Sequence, residues 1–72
     1  MIKSQAETIE NNFTYHAPKG DQQELYKHLR ATAKEFAELI AATTPYSREQ
    51  SLALTKLEES VMWANASIAR NE

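Results

Sequence analysis

The amino-acid sequence predicts an all-α fold: a short N-terminal helix followed by a long antiparallel two-helix hairpin, assembling into a helical homo-oligomer. Three observations carry this expectation. Apolar residues recur at three- and four-residue steps along two long segments, the period of one helix face. The only glycine and both prolines of the 72-residue chain fall in two short breaks, at Pro18–Gly20 and at Pro45. The last segment also carries more apolar surface than one hairpin covers.

Taken in order, Ser4-Gln5-Ala6-Glu7 fits a capping box, with serine at N-cap and glutamate at N3. It predicts a short helix over 5–12 with Ile2, Ala6 and Ile9 on one face. A helix of this length is unstable alone in water, so it must dock. The connector Phe13–Asp21 follows, crowded with Phe13, Tyr15, His16, Pro18, Lys19 and Gly20. Such loops on a rigid scaffold carry function more often than the scaffold does. Asp21-Gln22-Gln23-Glu24 reads as a second capping box and opens a long helix over 22–43. Its inward stripe is Leu25, Leu29, Ala33 (or Thr32), Phe36 and Ile40, widened by Tyr26, Ala37 and Leu39. Pro45 ends it, because the residue before a proline is pushed out of the α region. Ser47, with Gln50 at N3, then caps a helix over 48–70 whose stripe is Leu54, Leu57, Val61, Ala64 and Ile68. Each long helix spans roughly 30–35 Å, and the short connector makes them antiparallel. Leu52, Met62 and Trp63 point away from the stripe, as do Ala53, Ala66 and Ala69.

Residues 1–72 make one domain at most. A chain of about 60 residues buries only about 60% of its unfolded surface and is marginal alone. With no cysteine, disulfides and thiolate zinc sites are excluded, which leaves oligomerisation as the support. Eight basic against ten acidic residues argue against polymeric nucleic acid, though not against a small anionic ligand. No apolar run reaches the roughly 20 residues of a membrane span, and Met1–Asn12 lacks the apolar core of a signal peptide. A soluble intracellular protein without membrane association is the expectation.

Catalytic signals are weak. One glycine cannot make a phosphate loop, and no His-Glu-x-x-His occurs. His28 reads as a solvated helix-surface histidine, and the adjacent Glu58 and Glu59 lie on different faces, so they form no working dyad. No enzyme, metal or cofactor is expected. A binding role is better supported. Tyr15 offers a ring for stacking, worth about 1–3 kcal/mol per base. Lys19, Lys27 and Arg30 can approach it; Lys27 and Arg30 sit three apart on one helical face. Arg30 presents a planar fork suited to phosphate oxygens, and free N–H groups after Asp21 also favour an anion. Residue types leave the bland reading open, in which Tyr15 is a core-edge aromatic and Arg30 pairs with Glu7, Glu10 or Glu35. Thr32 and Asn65 either bond locally or form a polar pocket at an oligomer interface. Arg70 complements the helix dipole.

The connector, the Leu29-Arg30 helix, and the segment from Ser51-Leu-Ala-Leu-Thr-Lys-Leu-Glu-Glu to Trp63-Ala-Asn-Ala-Ser-Ile-Ala-Arg70 resemble the bacteriophage anti-CBASS sponge proteins, which share a helical-hairpin domain with the anti-Thoeris sponges. The resemblance covers about residues 11–72. It implies a non-catalytic protein that sequesters cyclic oligonucleotide immune signals in the cytoplasm of the infected bacterial host. It also implies a hexamer, a trimer of dimers, with cyclic dinucleotides bound between protomers and cyclic trinucleotides at a separate threefold site in some members. The family's stacking tyrosine falls on Tyr15. Its phosphate-binding basic residue falls on Arg30, and Thr32 matches a residue lining the trinucleotide site. Arg70 is the candidate arginine for that site. His16 stands where relatives often carry arginine, and Lys19 is the cation placed to compensate. Two other readings accompany this one: a helical adaptor binding a protein through Trp63 and Met62, and a sponge for the cyclic ADP-ribose signals of Thoeris.

Overall fold

The computed structural model describes residues 3–71, and every regular element among them is helical. Helix α1 spans Lys3–Asn12, α2 spans Gln22–Thr43 and α3 spans Arg48–Asn71. Ile2, expected on the docking face of α1, lies outside the described residues.

The short helix starts earlier than the first capping box implies. Ser4 is already inside α1, where its carbonyl accepts a bond from the Thr8 hydroxyl at 2.8 Å. The expected docking face is open: Ala6 is exposed and Ile9 is 43% exposed. Helix α1 meets the hairpin at its far end, where Asn11 Nδ2 donates to the Arg70 carbonyl at 3.1 Å.

The second capping box does not form either. Asp21 precedes α2 with φ −92° and ψ 10°, and its side chain makes no capping bond. The reciprocal pattern falls two residues earlier. The Gln22 N–H donates to the Lys19 carbonyl at 3.0 Å, and the Lys19 N–H donates to Gln22 Oε1 at 3.2 Å. The first bond closes a tight turn over residues 19–22, and the Gln22 side chain, at the first position of α2, reaches back across it. Gly20, at φ 57°, supplies the left-handed backbone this turn needs.

The other corner follows local rules closely. Thr44 is extended (φ −119°, ψ 148°), as the residue before Pro45 must be. Ser47 Oγ accepts the Gln50 N–H at 3.1 Å, the N-cap bond of α3. The Gln50 side chain turns back instead of completing a box, donating to the Thr44 carbonyl at 3.1 Å and to Thr44 Oγ1 at 3.0 Å.

Helices α2 and α3 pack side by side along a half-buried seam. Leu25, Leu29, Ala33, Ala37 and Ile40 supply one side, and Leu54, Leu57, Val61, Ala64 and Ile68 the other. Phe36 was expected in this stripe but stands at its flank, 53% exposed. Ala37 takes the inward place beside Leu54 and Leu57. Small residues in a seam let helices approach closely, and a phenyl ring at that position would hold them apart.

The result is a single layer. The molecule measures 48 × 31 × 13 Å, and its least dimension is about one helix diameter of 10–12 Å. Its radius of gyration is 15.9 Å, where a compact chain of this length has about 11 Å. Among the described residues no hydrophobic side chain is buried; the one buried side chain is Gln22, 4% exposed. The accessible surface is 5954 Å², against about 4,500 Å² for a folded monomer of this mass. Stable domains pack at least two layers around a core, and this chain supplies one.

Candidate functional site

The expected site residues distribute over distinct surfaces of the layer. Tyr15 sits in the irregular stretch between α1 and α2 and is 83% exposed. The bland reading of it as a core-edge aromatic therefore fails. Phe13 beside it is 85% exposed. Lys19 is exposed, with its backbone N–H and C=O both held by Gln22.

His16 is turned the other way. It is half-buried, and its Nε2 lies 2.7 Å from the Asn11 carbonyl. A carbonyl only accepts, so Nε2 carries the donated proton. The bond satisfies a carbonyl of the last turn of α1, one of the groups a helix end leaves unpaired. The groove around it, about 560 Å³, is lined by Glu7, Glu10 and Thr14. Those carboxylates make it a poor place for an anion.

Lys27 and Arg30 come together as the sequence spacing requires. With Gln23, Glu24 and Tyr26 they line a shallow groove of about 350 Å³ near the start of α2. Arg30 also stands at the rim of a larger groove between α2 and α3, of about 440 Å³. Its floor is Ala33, Ala37, Leu54, Leu57 and Val61, and its edges carry Lys34, Glu58, Met62 and Asn65. Asn65 Oδ1 is buried there without a hydrogen-bond partner.

Thr32 lies across the seam from Arg30. Two residues along a helix rotate by about 200°, so the two side chains leave opposite faces. Thr32 lines a groove of about 190 Å³ with Leu29, Phe36, Ser60 and Ala64, all neutral residues. Arg70 occupies a fourth place, a polar cleft of about 640 Å³ between α1 and the end of α3, with Ser4, Thr8, Asn12 and Asn71. Within one chain, then, Lys27 and Arg30 share a surface, while Thr32 and Arg70 each line a different groove.

A family model for the Acb2/Tad1 hairpin domain matches residues 5–69, nearly the whole chain. The chain belongs to the Acb2/Tad1 hairpin-domain family. Comparison with curated proteins and with solved structures gave no match. Membership suggests a sponge-type role and implies cyclic nucleotide binding. The three-helix architecture with its α2–α3 hairpin fits that domain. Among the described residues no helix is long and apolar enough to cross a membrane.

Lys34 and Gln22 had not been singled out from the sequence as site residues. Lys34 was legible, since it lies four residues after Arg30 and so shares its face. Gln22 gave no separate signal, because the neighbouring Asp21 is the better capping residue by type.

Proposed function

We propose that this protein is a non-catalytic sponge that binds and sequesters cyclic oligonucleotide immune signals, blocking bacterial CBASS anti-phage defence from the cytoplasm of the infected host. The observation that carries the reading is the family match over residues 5–69. Cyclic dinucleotides are the ligands, with cyclic trinucleotides at a second site. Tyr15 stacks on a base; Arg30 meets a phosphate with its planar fork, and Lys27 adds charge beside it. Lys19 contributes a further cation from the connector. His16 borders the site, its ring engaged with α1. Thr32 and Arg70 belong to the trinucleotide site.

The working unit in this reading is a homohexamer, a trimer of dimers, with ligand held between protomers. Two features of the single chain support it. The excess accessible surface, about 1,400 Å², is nearly twice the roughly 800 Å² that one partner buries in a standard interface. A chain with two open faces and area for two contacts closes into an assembly larger than a dimer. The site residues are also dispersed, and a neighbouring copy is what would bring a second set beside Tyr15.

Isothermal titration with a panel of cyclic dinucleotides, cyclic trinucleotides and cyclic ADP-ribose isomers tests the proposal, with chromatography of the recovered ligand. Tight binding of an intact dinucleotide is the expected result. Selective binding of a cyclic ADP-ribose keeps the mechanism and moves the target to Thoeris, a reading favoured by the hairpin shared with the Tad1 branch. No binding across the panel would sink the sponge reading. It would turn attention to the adaptor alternative, for which Met62 and Trp63, each 62% exposed, are the surface.

A further inference from the structure

We infer that Asn11 and Gln22 are positioning residues for the connector, two amide clamps that fix both ends of the Tyr15 segment onto the last turn of α3. This rests on the sponge reading for what the connector does, and on geometry alone for how it is held.

The last four carbonyls of any α-helix lack an intrahelical partner. In α3, which ends at Asn71, Arg70 falls in that set, and Ile68 stands in the same last turn. Asn11 Nδ2 donates to the Arg70 carbonyl at 3.1 Å, and Gln22 Nε2 donates to the Ile68 carbonyl at 3.5 Å. Each residue also takes hold of the connector, Asn11 through its main chain and Gln22 through its side-chain amide. The Asn11 main-chain carbonyl accepts the His16 ring N–H at 2.7 Å, and Gln22 Oε1 accepts the Lys19 N–H at 3.2 Å. The segment from 16 to 19 is thus tied at both ends, and Tyr15 stands next to the first tie.

Gln22 is also the one buried side chain among the described residues. A buried amide group left without a partner is destabilising, so each of its two bonds resists being opened. An exposed aromatic on an untethered loop sacrifices conformational entropy when it docks on a ligand. Holding the loop beforehand removes that loss, and preorganisation of this kind raises affinity without adding a contact.

The test uses the full-length chain with Gln22→Leu, which keeps the volume and removes both bonds, alone and combined with Tyr15→Ala. Two quantities are read: exchange of the Lys19 amide by NMR, and affinity for the cyclic dinucleotide that binds the wild type best. The expected result is that Lys19 exchange speeds up and affinity falls, each by about tenfold. On the Tyr15→Ala background Gln22→Leu then has no further effect on affinity, because the loop has nothing left to position. An additive loss, or unchanged affinity with a loosened Lys19 amide, overturns the positioning role. Unchanged Lys19 exchange overturns the clamp itself, whether or not any ligand binds. If the wild type binds nothing in the panel, the sponge reading fails and the positioning role goes with it, while Lys19 exchange still decides the clamp. If circular dichroism shows that Gln22→Leu has lost its helices, Asn11→Ala, which removes the bond to the Arg70 carbonyl and leaves the His16 tie in place, repeats the affinity comparison alone and with Tyr15→Ala; unchanged affinity or an additive loss then overturns the positioning role.

Discussion

Placing a charge on either open face of the hairpin should break the assembly in a face-specific way. Phe36 is 53% exposed in the single chain, on the neutral face with Thr32 and Ser60. A phenylalanine side chain buries about 150–250 Å² when fully covered. Roughly half of that, on the order of 100 Å², remains for a neighbouring copy to cover. At about 25 cal/mol per Å² the ring contributes about 2.5 kcal/mol to that contact, or roughly 70-fold in the association constant. Phe36→Asp removes this and adds the desolvation of a carboxylate, so 70-fold is a lower bound. Met62→Asp does the same on the opposite face, which carries Arg30, Lys34 and Glu58. The assay is light scattering after size exclusion, over a concentration series. Wild type should run as a closed oligomer. Each single variant should stop at a different intermediate, and the double variant should be monomeric with far-UV helicity reduced. Glu38→Lys, on an exposed helical position, serves as the control and should leave the mass unchanged. A wild-type monomer at about 100 µM, or both variants at wild-type mass, would refute the reasoning from surface area.

Three further outcomes are expected. Gly20→Ala should speed exchange of the Gln22 amide about 5–30-fold, since left-handed backbone costs an L-residue about 1–2 kcal/mol and nothing lies within 4 Å of the added Cβ to crowd it. D-alanine at the same position should not speed it; equal effects of the two enantiomers would point to sterics instead. Ser47→Ala should lower stability by about 1 kcal/mol through loss of the Gln50 cap, read as a midpoint about 4–8 °C lower at matched protein concentration. Arg30→Ala should weaken cyclic dinucleotide binding by about 1.5–3 kcal/mol, the range for a charged hydrogen bond. Arg30→Lys should lose less, because it keeps the charge and gives up the fork; equal losses in titration would show that the charge itself contributes little.

How far the sequence was legible depends on how local each rule is. Pro45 and Ser47 act on their immediate neighbours, and the corner between α2 and α3 can be read from them directly. The α3 stripe is equally plain, because its three- and four-residue steps repeat without a competing set. In α2, Phe36 and Ala37 are adjacent and both fit the spacing. Hydrophobicity favours the ring, but helix separation favours the smaller residue, and separation is a property of the pair of helices. Asp21 misled for a related reason. It is the better cap by residue type, yet the turn geometry set by Gly20 hands the reciprocal bonds to Lys19 and Gln22. The site was less legible than the fold. Lys27 and Arg30 share a surface because helical spacing brings them together. Thr32 and Arg70 line other grooves of the same chain, and Tyr15 lies in an irregular stretch to which no periodicity applies.

The last turn of α3 has a consequence for how freely this sequence can drift. Asn11 and Gln22 both land on main-chain oxygens, at positions 70 and 68. Every amino acid carries that oxygen, so the anchorage is indifferent to which residues occupy the two positions. The Arg70 side chain takes no part in that bond and is left to the polar cleft it lines. The two amides that reach across have no such latitude, and selection on the anchorage should be felt at residues 11 and 22, far in sequence from the helix end they hold.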